Sequence, residues 1–166
     1  FGDPLHPFPA FTASVVPLRP QSRGSSHIAS ADPKAQPVIN PYYLSTESDK
    51  RVAAHAIRLA RHIAHQSVMQ KYKPSEIKPG VEHQSDEELA KVAGEIGTTI
   101  FHPVGTCRMG PDDSAVVDTN LRVNGVTGLR VVDASIMPSI TSGNTNSPTI
   151  MIAEKAADMI LQNQTN

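Results

Sequence analysis

The chain has 166 residues, with 15 Lys and Arg against 16 Asp and Glu, for a net charge of −1. That length suits one ordinary domain with a real core, while the balanced charge excludes the basic surface that nucleic-acid binding needs. One cysteine excludes an internal disulfide framework and a multi-cysteine zinc site, and no apolar run approaches the roughly 18 residues of a membrane span.

No nucleic-acid partner and no transmembrane segment are therefore expected, and the absence of a secretory signal sets a cytoplasmic location as the expectation. The chain starts at Phe1 rather than Met, and eight of its fourteen prolines fall in the first 41 residues. It reads as the later part of a longer polypeptide, or as one chain of a cleaved protein.

Residues 1–44 lack helical periodicity and mix Pro with short apolar runs such as Val15-Val16 and Ser26-His27-Ile28. This pattern predicts extended strands joined by Pro/Gly turns. From Ser45 to about Gln66, Val52, Ala56, Leu59 and Ile63 recur at helical spacing and predict an amphipathic helix buried on that stripe. Its other face carries Arg51, His55, Arg58, His62 and His65. His62 and His65 are one turn apart, but a solvated polar face is the expected reading and no metal site is assigned.

A second helix is predicted over 86–96. Ser85 and Glu88 form a capping-box pattern, Leu89, Val92, Ala93 and Ile96 form its buried stripe, and Gly97 ends it. Thr98 to Phe101 reads as a strand running into His102. Short strands and turns follow at Val116-Val117, Leu121 to Val123, the Asn124-Gly125 turn and Leu129 to Val132, with Asp133 closing the last. A final helix is expected with Ser147 as N-cap, Pro148 at its first position and a buried start at Ile150-Met151-Ile152-Ala153. The stretch from Gln162 to Asn166 should fray.

Three features could carry chemistry. A partly buried histidine at a strand end, His102, can accept a proton from a hydroxyl, although a lone His is more often structural. The mouth of the last helix, beside Asn144 and Asn146, suits negative charge; the asparagines could equally just shape a loop. Asp133 stands where open α/β sheets commonly hold nucleotide cofactors, or else simply forms a turn. There is no Gly-x-Ser-x-Gly elbow to make Ser135 a nucleophile and no phosphate loop. Cys107 reads as a small buried hydrophobe.

Three runs then point to a family. His102-Pro103-Val104-Gly105-Thr106-Cys107-Arg108-Met109-Gly110 is the first, the stretch from Gly128 through Val132-Asp133-Ala134-Ser135 to Pro138 the second, and Ser142-Gly143-Asn144-Thr145-Asn146-Ser147-Pro148 with the start of the last helix the third. In order and spacing they resemble the C-terminal region of the glucose-methanol-choline (GMC) flavin oxidoreductases, in the choline and alcohol dehydrogenase branch. Leu18-Arg19-Pro20-x-Ser22-Arg23-Gly24 and Tyr43-Leu44-Ser45 are similar to that family's substrate-domain segment.

The resemblance implies FAD as cofactor and oxidation of a primary alcohol to an aldehyde. It implies that His102 takes the hydroxyl proton while hydride passes to the flavin, and that Asn144 holds the substrate oxygen without sharing the proton. Asp133 and Ala134 would meet the ribityl and pyrophosphate portion, and Thr145 and Asn146 the pyrimidine edge. The implied architecture is mixed α+β. An antiparallel substrate-domain sheet with helices would span residues 1–100, and the catalytic histidine would share 101–166 with the last strand and helix of an FAD-binding α/β domain.

None of the ten glycines forms the Gly-x-Gly-x-x-Gly fingerprint of that domain. An N-terminal FAD-binding segment is thus an implied partner, alongside the alcohol and an electron acceptor, oxygen or a quinone. Without that segment, weak or no FAD binding is expected. The competing expectations are a truncated, non-catalytic module of the family and an FAD-containing lyase resembling the hydroxynitrile lyases.

Overall fold

The computed structural model describes residues 5–164. The chain divides into two compact units: one joins the segment before Leu18 to Thr46–Gly97, and the other joins Leu18–Ser45 to the chain from Thr98 onward. The elements are mixed, three α-helices with one small antiparallel sheet.

In the first unit, α1 spans Glu47–Ala64. Thr46 caps it by accepting from the Asp49 N–H, while Glu47 and Asp49 in the first turn and Arg61 and His62 in the last complement its dipole. A 3₁₀ turn over Ser67–Tyr72 follows, then α2 over Asp86–Ile96. The Ser85 hydroxyl accepts from Glu88 N, and the Glu88 carboxylate accepts from Ser85 N, so the expected capping box forms in full. The Ser85 and Gln84 N–H groups, both donating to that carboxylate, hold the Glu88 carboxyl down to about 2.

The helices meet through Ala54, Ile57, Leu89 and Val92, with Ala93 packed against them. Here the expected face of α1 is corrected. Val52, Leu59 and Ile63 are 44%, 56% and 55% exposed, whereas Ala53, Ala54 and Ile57 are buried. Ala54, whose side chain ends at Cβ, and Ile57 pack in one cluster with Leu89 and Val92, and Leu89 is fully buried there. On α2, Leu89 and Val92 are buried as expected but Ile96, in the last turn, is exposed.

A pairing on the α1 side adds to this unit. Arg61 Nε donates to Glu76 Oε2 and Nη2 to Oε1, both at 2.9 Å. The same guanidinium donates to the carbonyls of His83 and Gly80, and Gly80 N donates to Glu76 Oε1. Arg61 thus closes the turns between the helices onto α1.

In the second unit, β1 over Ser25–His27 pairs antiparallel with β2 over Val38–Asn40, Ser26 facing Ile39. The sheet is far smaller than expected because Pro33, Pro37 and Pro41 bracket β2 and lack the N–H that would extend a ladder. The part of the strand expectation that falls on residues 1–4 lies outside the described residues. Thr98 to Phe101 forms no strand. Phe101 adopts φ of 65° and its N–H turns to Thr99 Oγ1, ending any extended run just before His102.

The segment 106–133 is a compact set of turns tied by single bridges, Met109 to Val117, Val117 to Val123 and Arg122 to Arg130. Val123 N donates to Leu129 O and Val131 N to Leu121 O, so the expected strands are present only as isolated pairings. A 3₁₀ turn over Ala134–Ile136 follows. The last helix, α3, spans Asn146–Gln164. It begins ahead of Ser147: the Thr145 carbonyl accepts the first helical bond from Thr149 N at 3.0 Å. Pro148 is then the third helical residue, still within the turn whose N–H groups have no helical acceptor, so its missing N–H costs nothing.

The core of this unit is Val117, Leu121, Ile136 and Ala156, with Ile152 and Met159 packed against it. Residues 152, 156 and 159 form one stripe of α3. The expected buried start is corrected, since Ile150 and Met151 are 54% and 59% exposed. The helix extends through Gln164, into the stretch where a frayed end is expected, and Thr165 and Asn166 lie outside the described residues.

Candidate active site

The site is built on the second unit. From His102 the chain runs along the 133–137 segment: Cys107 N donates to Ser135 O at 3.0 Å and Met109 N to Ile136 O at 2.9 Å. Gly105 has φ of 88°, and a Cβ there would lie 3.3 Å from Met137 O. Ile136 in turn packs with Ala156 of α3 in one core cluster. The histidine segment, the Asp133 turn and the last helix are therefore one packed arrangement.

His102 is half-buried, and its Nδ1 lies 3.0 Å from Thr145 Oγ1. Thr145 is only 8% exposed. Its carbonyl accepts from both Thr149 N and Thr149 Oγ1, the latter at 2.7 Å. Asn144 and Asn146 flank Thr145 in the chain, and both are exposed at the mouth of α3. Three of the residues singled out in the sequence are thus gathered with His102 at one helix end, which brings together a basic imidazole, amide side chains and helical N–H groups that have no intrahelical acceptor.

Asp133 forms a turn. Its Oδ1 accepts from Ser135 N at 2.7 Å and from Ser135 Oγ at 2.5 Å, which caps the 3₁₀ turn that starts at Ala134. This also accounts for Ser135, whose hydroxyl is committed to the carboxylate. Arg108, inside the histidine motif, is structural as well. It reaches Asp112 through both Nη atoms at 3.0 and 2.6 Å and also donates to Ser114. The guanidinium and the Ser114 hydroxyl hold the Asp112 carboxyl well below the usual carboxylate range.

Ser142, quoted in the third run without a role of its own, accepts from Arg19 Nε at 2.9 Å and pins the 18–24 segment to the loop before α3. The sequence reading did not find the His102–Thr145 contact. A polar residue just before a helix bearing Pro at its third position was the available signal for it. Among the described residues no cluster of His, Cys, Asp and Glu is arranged to hold a metal ion, and no helix is long and apolar enough to cross a membrane. An open hollow lined by Asp118 and residues 122–128 includes none of the residues gathered around His102.

The donor set at α3 fits the flavin end of FAD, whose pyrimidine edge presents carbonyl oxygens and gathers negative charge on reduction: first-turn N–H groups and the amide of Asn146 are donors. At the 3₁₀ turn, Ala134 offers an N–H, and the Asp133 carboxylate is an acceptor suited to a sugar hydroxyl.

A family model described as GMC oxidoreductase matches residues 20–153. An oxygen-dependent choline dehydrogenase of Escherichia coli O45:K1 (strain S88 / ExPEC) is 51% identical over 150 residues, covering 90% of this chain and 27% of that protein. Among solved structures, pyridoxine 4-oxidase from Mesorbium loti superposes with a TM-score of 0.79 at 38% identity, over 85% of this chain and 28% of that one. An FAD-dependent oxidoreductase from Chaetomium thermophilum gives 0.83 at 33% identity, over 89% and 26%. The chain spans about a quarter of the length of the curated relatives it matches.

Proposed function

The chain belongs to the GMC oxidoreductase family, and from that premise we propose that it carries the catalytic base of an FAD-dependent oxidation of a primary alcohol to an aldehyde. The observation that carries this reading is the placement of half-buried His102 against Thr145 at the mouth of α3. When bound, FAD supplies the acceptor for the hydride that leaves the carbinol carbon.

The chain's own residues do the rest. His102 Nε2 accepts the hydroxyl proton, and its tie to Thr145 keeps the ring from turning away. The Asn144 amide donates to the substrate oxygen and cannot take a proton, so His102 is the sole base. The α3 N-terminus favours negative charge that develops beside it. Asp133, Ala134, Thr145 and Asn146 line the cofactor side of the site.

In this reading residues 1–100 contribute to the substrate-binding region and 101–166 to catalysis and to the last strand and helix of the FAD-binding domain. The adenine half of the cofactor is held by an N-terminal segment bearing the glycine fingerprint that these 166 residues lack. The named relatives act on choline and pyridoxine by their names, which supports a small hydroxymethyl or hydroxyethyl compound as substrate. Oxygen or a quinone takes the electrons, and the reaction runs in the cytoplasm. The same names, a dehydrogenase and an oxidase, favour oxidoreduction over lyase chemistry.

The test is anaerobic mixing of candidate primary alcohols with flavin-loaded protein that includes the N-terminal FAD-binding segment, while flavin absorbance is followed. Bleaching that slows by roughly 10² to 10⁴ in His102→Ala supports the assignment. An unchanged rate in that variant removes it.

A further inference from the structure

We propose that Thr145 is the positioning residue that locks His102 in the tautomer with the proton on Nδ1, leaving Nε2 as the free acceptor. The proposal rests on the reading of His102 as the base and names the group that makes it one.

A neutral imidazole carries one proton on either nitrogen, and the partner of one nitrogen decides the role of the other. Only Nδ1 of His102 has a hydrogen-bond partner among the described residues, Thr145 Oγ1 at 3.0 Å. A hydroxyl can donate or accept, so the direction of this bond depends on what else the threonine meets. Thr145 precedes the first residue of α3, the position at which a threonine oxygen ordinarily accepts from the second or third helical N–H. The third helical residue is Pro148, which has none. One usual donor to Oγ1 is therefore missing, which leaves acceptor capacity on Oγ1 for an Nδ1–H.

The carbonyl of Thr145 is already taken by Thr149 N and Oγ1. The residue is fixed at its backbone and 8% exposed, so water competes poorly for its hydroxyl. With Nδ1–H donating to Oγ1, Nε2 keeps its lone pair. When the alcohol proton moves to Nε2 the ring becomes imidazolium, and the Nδ1–H bond stays as it was. The threonine itself gains and loses no proton.

The experiment has two arms. In the first, ¹⁵N shifts of the His102 ring are recorded on the chain without flavin or substrate, above the pH at which the ring is charged, for wild type, Thr145→Ser and Thr145→Val. Protonation at Nδ1 in wild type and Thr145→Ser, with a shift toward the Nε2–H form in Thr145→Val, is expected. A wild-type ring protonated at Nε2, or a Thr145→Val ring unchanged from wild type, overturns the proposal. Thr145→Ser shows whether loss of the methyl alone disturbs the fold.

In the second arm, flavin reduction is followed in the loaded enzyme. Thr145→Val should lower kcat by roughly 10- to 100-fold with KM little changed, and Thr145→Ser should recover most of it. Equal losses in both variants, or a loss confined to KM, would show a merely structural role. If the tautomer responds as expected while His102→Ala reduces flavin at the wild-type rate, the reading of His102 as the base fails and the tautomer assignment stands.

Discussion

His102 Nδ1 and Thr145 Oγ1 lie 3.0 Å apart although 43 residues separate them in the chain. The contact joins the segment that leaves α2 to the residue just before α3, so the proposed base and the helix end form one unit. His102→Gln separates proton acceptance from packing, because an amide can still hydrogen-bond Thr145 but cannot take a proton. Flavin reduction should fall by roughly 10² to 10⁴, with urea stability within about 0.5 kcal/mol of wild type. Loss of both together would show that the ring is a structural element first.

Asn144 precedes Thr145 at the α3 mouth and is exposed. Asn144→Asp places a negative charge beside a positive helix end, which should stabilise the fold by about 0.3–1 kcal/mol. The same charge opposes negative charge developing on the substrate oxygen and replaces a donor by an acceptor. Turnover should therefore drop at least tenfold, roughly the worth of one charge-assisted hydrogen bond, while the melting temperature holds or rises. A variant that is both less stable and fully active would contradict the placement of Asn144 at the helix mouth and at the substrate.

Arg61 and Glu76 are 17% and 12% exposed and meet through two parallel hydrogen bonds. The guanidinium, helped by Gly80 N, lowers the Glu76 carboxyl from its ordinary 4.5. Because the folded-state value is depressed, the stabilisation is fully present above pH 4.5 and is lost as the pH falls through the lowered value. Glu76→Gln should cost about 2–3 kcal/mol at pH 7, and the gap to wild type should narrow on going to pH 3. Urea unfolding at pH 7, 5 and 3 measures this; a gap independent of pH would mean that the charge contributes nothing.

The local signals read best. The capping box at Ser85 and Glu88 is written in residues three apart, and α2 starts where it says. Existence of α1 followed from its period, yet its buried face did not. Val52, Leu59 and Ile63 make the larger stripe, but the packing surface is chosen by Ala53, Ala54 and the Arg61–Glu76 pair, whose partner is 15 residues away. The strand expected before His102 failed at Phe101, because a left-handed residue leaves no mark in composition. For the site, the motifs named His102 and the Asn144 to Asn146 run, whereas the bond that joins them depends on the fold.

Gly105 lies between His102 and the two N–H groups, of Cys107 and Met109, that bind the 135–136 carbonyls. Its φ of 88° is unfavourable for any other L-residue, and an added Cβ would stand 3.3 Å from Met137 O. Gly105→Ala should cost about 1–2 kcal/mol from backbone strain alone. Relief of that strain must also shift the 102–107 segment, and a base displaced by even about 1 Å can lose on the order of 100-fold in rate. Gly125→Ala is the matched control, since its φ is 77° and a Cβ there meets nothing within 4 Å. Both variants should lose comparable stability in urea, but only Gly105→Ala should slow flavin reduction. Equal rates in the two would show that the 102–107 segment does not depend on its seat against Met137.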